Sequence, residues 1–124
     1  MPKTRVHSVD KADFTVIKKN PPDLLIQASG QVVTSGWTCP ELSPFYYLVP
    51  PEDGFLGMDF LAERPKGTQL EVLVPIAADK VLEDYENYWG EGKPLLGIRI
   101  HGVSNVLEIK LRKRIKQRTD VVAF

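Results

Sequence analysis

QLEVLVPI, residues 69–76, decides how the rest of the chain is read. Leu70, Val72, Val74 and Ile76 recur at every second position, the period of a strand with one buried face rather than of a helix. The same alternation spreads outward from there. FLGMDFLA at 55–62 sets Leu56, Met58, Phe60 and Ala62 against Asp59, and LLGIRIHGV at 95–103 sets Leu96, Ile98 and Ile100 against Arg99 and His101. VLEIKL at 106–111 aligns Leu107, Ile109 and Leu111, and residues 24–34 align Leu24, Ile26, Ala28 and Val32, with Gly30 expected at a bulge or bend. FYYLV at 45–49 and FTVIK at 14–18 complete a set of about seven strands. On these faces Leu70, Val72, Val74, Phe60, Met58, Ile98 and Ile100 are expected inside.

Turn-forming stretches separate the strands: NPPD at 20–23, SGW at 35–37, PPEDG at 50–54, RPKG at 64–67 and GEGKP at 90–94. Strands this closely spaced leave no room for helical crossovers, so the pattern predicts an all-β fold, an antiparallel β-sandwich. Its nearest architecture is immunoglobulin-like, although the Cys…Trp…Cys framework of such domains is absent. One short helix is expected near residues 79–89, DKVLEDYENYW, with Asp79 as its cap and Leu82, Tyr85 and Trp89 on one stripe. The chain of 124 residues, 43% hydrophobic and 26% charged, reads as one globular domain over 1–124 with a basic C-terminal strand and tail at 110–124.

A single cysteine excludes an internal disulfide and a thiolate metal cage. The first residues carry no apolar signal region, and no apolar run is long enough to span a membrane. A cytoplasmic location is therefore expected. The formal net charge of zero is a cancellation. Residues 41–92 hold eleven acids against Arg64, Lys66 and Lys80, a net of minus eight, while residues 93–124 hold eight bases against Glu108 and Asp120, a net of plus six. A chain without excess positive charge is not expected to bind nucleic acid. Split charge instead favours a protein partner or self-association, most simply a homo-dimer that pairs the acidic stretch 79–91 with the basic stretch 110–118 and covers an edge strand.

Reactive constellations are sparse. A cysteine nucleophile needs a neighbouring base, and only His7 and His101 are available. A hydrolase using Cys39 and His101, with Asp59 outward nearby, is a distant alternative; Cys39 is expected to be a small buried apolar residue. The two histidines lack metal-ligand spacing, the acidic turns lack a calcium-loop pattern, and no glycine-rich phosphate loop or serine elbow is present, so neither enzyme activity nor a cofactor is expected.

Two features point to binding. KLRKRIKQR at 110–118 would form a basic ridge through Arg112 and Arg114 if it is a strand, or a charged edge that blocks aggregation. The aromatic residues Trp37, Tyr46, Tyr47, Tyr85, Tyr88 and Trp89 offer apolar area with a polar handle, and EDYENYWGEG is the best recognition loop. The expected function is a non-catalytic binding or assembly module. The second reading is a small-ligand or carbohydrate binder using Trp37 and Trp89.

Overall fold

The computed structural model describes residues 3–67 and 69–111; the basic ridge expected through Arg112 and Arg114, and the rest of the basic tail, lie outside them. Eight strands follow in order: β1 (Lys3–Arg5), β2 (Ser8–Ile17), β3 (Asp23–Thr34), β4 (Thr38–Pro44), β5 (Phe55–Glu63), β6 (Glu71–Leu82), β7 (Gly97–His101) and β8 (Val106–Lys110). They form two sheets. One runs β2-β3-β6 and is antiparallel throughout. In the other, β5 pairs with β4, with β1 and with β7, and β8 pairs with β7.

The protein is mostly β, as the alternation predicts, but the expected all-antiparallel pairing is corrected in one place. β5 and β7 are parallel, with Leu56 opposite Ile98 and Met58 opposite Ile100. The segment 64–96 between them supplies the crossover with a strand of the other sheet, β6, in place of a helix.

The helix expected at 79–89 is also corrected. Residues 79–82 continue β6, where Lys80 faces Ile26 and Leu82 faces Leu24 across the ladder. β3 is twelve residues long, and pairing along its whole length outweighs the helical preference of DKVLED. Only a single 3-10 turn, Tyr85–Asn87, follows.

FYYLV is not a strand either. The strand lies just before it in TCPELSP, which the two prolines hide from pattern reading. At an outer position of the sheet a missing N–H costs little, so β4 tolerates them. The ladder ends where Gly57 turns to a side chain: its N–H donates to the Tyr47 hydroxyl at 2.9 Å, while its carbonyl accepts from Phe45 N at 2.8 Å.

The facing sides of the sheets share one core. Phe14, Leu24, Ile26 and Val32 come from one sheet, and Leu56, Met58, Phe60, Ile98 and Ile100 from the other. Burying each such side chain contributes about 1.5–3 kcal/mol. Arg99 and His101 point away from this core, as the period predicts. The expected burial of Leu70 and Val72 is wrong: they are 72% and 46% exposed, and only Val74, Ile76 and Ala78 of this strand's middle pack on the core. Among the described strands β6 hydrogen-bonds to β3 alone, and its first residues, Glu71 to Leu73, are exposed, so the alternation there does not report a buried face.

Two devices hold β2 in place, one within its own sheet and one across to the other. A Cβ on Gly30 would sit 2.0 Å from the Ser8 carbonyl oxygen, so only glycine lets β2 cross β3 this closely, beside a bulge at Asp10. The Asn105 amide, in the β7–β8 turn of the other sheet, accepts from Val9 N at 2.9 Å and donates to Val9 O at 2.8 Å. The bulged strand thereby has its free backbone groups satisfied by a side chain.

Candidate functional site

β5 carries the chain from Gly54 at one end of the fold to Arg64 at the other, about 30 Å at the usual strand rise. The two tryptophans stand at those two ends. Trp89 Nε1 donates to the Gly54 carbonyl at 2.9 Å. Trp37 lies between β3 and β4, beside Arg64, and its Nε1 donates to Thr34 Oγ1 at 3.0 Å. The structure therefore does not bring Trp37 and Trp89 onto one surface.

At the Gly54 end the aromatic residues are mostly anchors. Trp89 meets Tyr47 edge-on at 5.2 Å between centroids and Tyr88 at 4.9 Å. Tyr85 is buried beneath them. Burial pushes the Tyr85 and Tyr88 phenols above the usual tyrosine range, with Glu86 adding to the shift at Tyr85. The recognition loop is knit by its own backbone: Leu95 N donates to Tyr85 O, Trp89 N to Lys93 O, and Gly92 N to the Asn87 side chain. Asp84 enters that loop in the left-handed region at φ 48°, and its N–H donates to the buried Asp23 carboxylate, which also pairs with Lys19.

What this packed base presents to solvent is a set of residues that pattern reading assigned to a strand. Tyr46 and Leu48 are each 88% exposed and Val49 is 73% exposed. Their neighbours Phe45 and Tyr47 turn inward, Phe45 lying over Gly57 and against His101 at 5.1 Å. Proline on both sides, at 44, 50 and 51, was the available signal that FYYLV is a loop. Glu52, Glu86 and Glu91 are exposed at this end, as is Asp53, which pairs with Arg99. The Phe55 N–H and then Arg99 hold the Asp53 carboxyl below the usual carboxylate range.

β8 leads into the basic stretch at this same end, because Leu111 N donates to Leu96 O and Leu96 N to Gly54 O. Of the basic stretch only Lys110 and Leu111 lie among the described residues, so the expected pairing of 79–91 with 110–118 falls largely outside them.

At the Arg64 end an open cleft of about 330 Å³ lies between the β3–β4 and β5–β6 connections. Trp37 and Val33 wall it, and Thr34, Arg64, Gln69 and Glu71 bring polar groups to its rim. The Arg64 guanidinium carbon stands 5.9 Å from the Trp37 ring centroid. Gly36, at φ 88°, lets the chain pass so close to Pro65 and Gln69 that a Cβ there would come within 2.9 Å of Pro65 Cβ.

The Cys39–His101 pair is not assembled. Cys39 is exposed, against the expectation of burial, because it sits at φ 53° where the β4–β5 register slips between Thr38 and Glu41. His101 is on β7, across β5 from β4, so two strand spacings of nearly 5 Å each separate them, roughly 10 Å before any offset along the strands. Asp59 is engaged by Arg5 Nε at 2.7 Å. Partial burial, helped by Arg5 and Arg99 and opposed by Asp59, holds the His101 imidazole below the usual histidine range. Among the described residues no three metal-ligating side chains gather, and no helix is long and apolar enough to cross a membrane.

No family model, curated protein or solved structure matches this chain.

Proposed function

We propose that the protein is a non-catalytic binding module whose docking surface is the Tyr46–Val49 loop at the Gly54 end. The observation that carries this reading is the exposure of Tyr46, Leu48 and Val49 on a loop pinned by Phe45, Tyr47 and Trp89. Three large apolar side chains within four residues are unusual at a turn, where polar residues are the rule. Holding them on a packed aromatic base lowers the ordering cost of association. Exposed Glu52, Glu86 and Glu91 around the apolar group fit a protein partner whose contact surface is apolar at its centre and basic at its rim. Loops gathered at the end of a two-layered β fold are the arrangement immunoglobulin-like domains use for recognition; the parallel β5–β7 pair is where this chain departs from that plan.

A photo-crosslinking amino acid at position 48, with a control at exposed Thr15, tests the reading in source-cell extract. The expected result is an adduct from position 48 only, weakened by salt and competed by the unlabelled protein but not by a Leu48→Asp variant. Equal capture from both positions, or an adduct that is a second copy of this chain, would overturn it.

A further inference from the structure

The cleft at the Arg64 end is independent of that docking surface and carries its own chemistry. One wall is the Trp37 indole, held in a single orientation by its bond to Thr34 Oγ1. Two ionic side chains on the rim, Arg64 and Glu71, have no ion-pair partner among the described residues. Gln69 is oriented by Nε2 donating to Lys66 O at 3.1 Å and by Oε1 near Ser35 Oγ at 3.4 Å, and it adds an amide of both polarities. The rim thus offers donors and acceptors with charges that cancel, next to an apolar wall made by the flat Trp37 indole with Val33 and Pro65.

We propose that this cleft is a saccharide-binding site. A sugar ring has one face of C–H groups and a periphery of hydroxyls that each donate and accept. The C–H face matches the indole, and the hydroxyls match the planar side chains of Arg64, Gln69 and Glu71. A simple anion would use Arg64 but be repelled by Glu71, and a nucleobase has few edge groups that can both donate and accept, as a rim of mixed polarity asks. A cleft of about 330 Å³ is at the lower end of the range for small-ligand sites, which suits one or two rings. Trp89 takes no part, since its indole faces Tyr47, Tyr88 and the Gly54 carbonyl at the opposite end.

Labelling the full chain with 5-fluorotryptophan gives two fluorine signals, assigned with a Trp37→Phe variant. The common neutral hexoses, N-acetylhexosamines and their disaccharides are titrated, with sodium sulfate and adenosine as controls. The Trp37 signal is expected to move saturably with at least one saccharide, with a Kd of roughly 1–10 mM, while the Trp89 signal stays still. Arg64→Ala and Gln69→Ala should each weaken binding about tenfold, the loss of one charge-assisted or amide hydrogen bond, with thermal melts showing that both variants fold. No saturable shift across the panel, a shift with sulfate or adenosine alone, or both signals moving together would each overturn the assignment.

Discussion

The two tryptophans are each half-buried against the core and differ in what lies over the rest of the ring. Trp89 is flanked by Tyr47 and Tyr88 and bonded to a backbone carbonyl, so its ring ties the β4–β5 connection to the β6–β7 connection. Trp37 also packs partly on the core, but its indole N–H is bonded to one threonine and its open side borders a cleft and a guanidinium. An aromatic residue near a turn is therefore not a binding signal in itself; what decides is whether the neighbouring loops bring enough side chains to cover it. At the Gly54 end they do, and the exposure passes to Tyr46, Leu48 and Val49 instead.

This contrast has consequences for stability. Trp89→Ala, which removes two aromatic contacts as well as core packing, should cost about 3 kcal/mol, whereas Trp37→Ala should cost about 1–2 kcal/mol. Denaturant melts of both variants measure the difference, and equal costs would break the comparison. Trp89→Phe, which keeps ring packing but leaves the Gly54 carbonyl without its donor, should fall between them.

The glycines of the cleft end sharpen the same point. Gly36 and Gly67 both have φ near +80°, at 88° and 75°. A Cβ on Gly36 would press on Pro65 and Gln69, while one on Gly67 would meet nothing within 4 Å. Gly67→Ala should therefore show only the left-handed backbone cost, about 1 kcal/mol, and Gly36→Ala should exceed it by about another 1 kcal/mol while disturbing the cleft.

Cys39 tests whether the β4 bulge is as open as the geometry shows. Its thiol should react with a mild alkylating reagent in the folded protein at a rate close to that of the unfolded chain. Cys39→Gly, which suits φ 53°, should be stabilising by up to about 1 kcal/mol. Protection of the thiol until unfolding would put Cys39 back in the interior.

The smallest effect is that of pH. The folded-state pKa of His101 lies below its unfolded value, so the unfolded chain takes up the proton first on acidification. The contribution of His101 is present above the unfolded imidazole pKa and is lost as pH falls from there through the folded one. A His101→Gln variant should lose this part of the acid-side decline in melting temperature. An unchanged profile would show that the imidazole is fully solvated.

Much of the β5, β7 and β3 assignment was legible because those strands have one face buried over their full length, so Leu56, Met58, Phe60, Ile98 and Ile100 alternate without interruption. The signal failed where burial is set by a neighbour distant in sequence. Leu70 and Val72 alternate as well as any core residues, yet both stay exposed at the start of β6. DKVL has helical composition, but β3 offers Leu24 and Ile26 as partners and the strand continues. Of the candidate sites, Trp37 could be named from sequence as an aromatic at a turn. Arg64, Gln69 and Glu71, up to 34 residues further on, join it only because the β3–β4 and β5–β6 connections lie side by side at one end of the fold.

The amino-acid sequence by itself determined that this protein is built mainly of strands, since a period of two can be satisfied only by a pleated chain with one face against a core. It also determined the turns, through prolines and glycines whose backbone preferences are local. Only the tertiary structure decided the parallel pairing of β5 with β7, the exposure of Cys39, and what flanks each tryptophan. Each of these depends on which segments become neighbours, and that choice comes from packing two sheets around one core, a property of pairs of residues far apart in the chain.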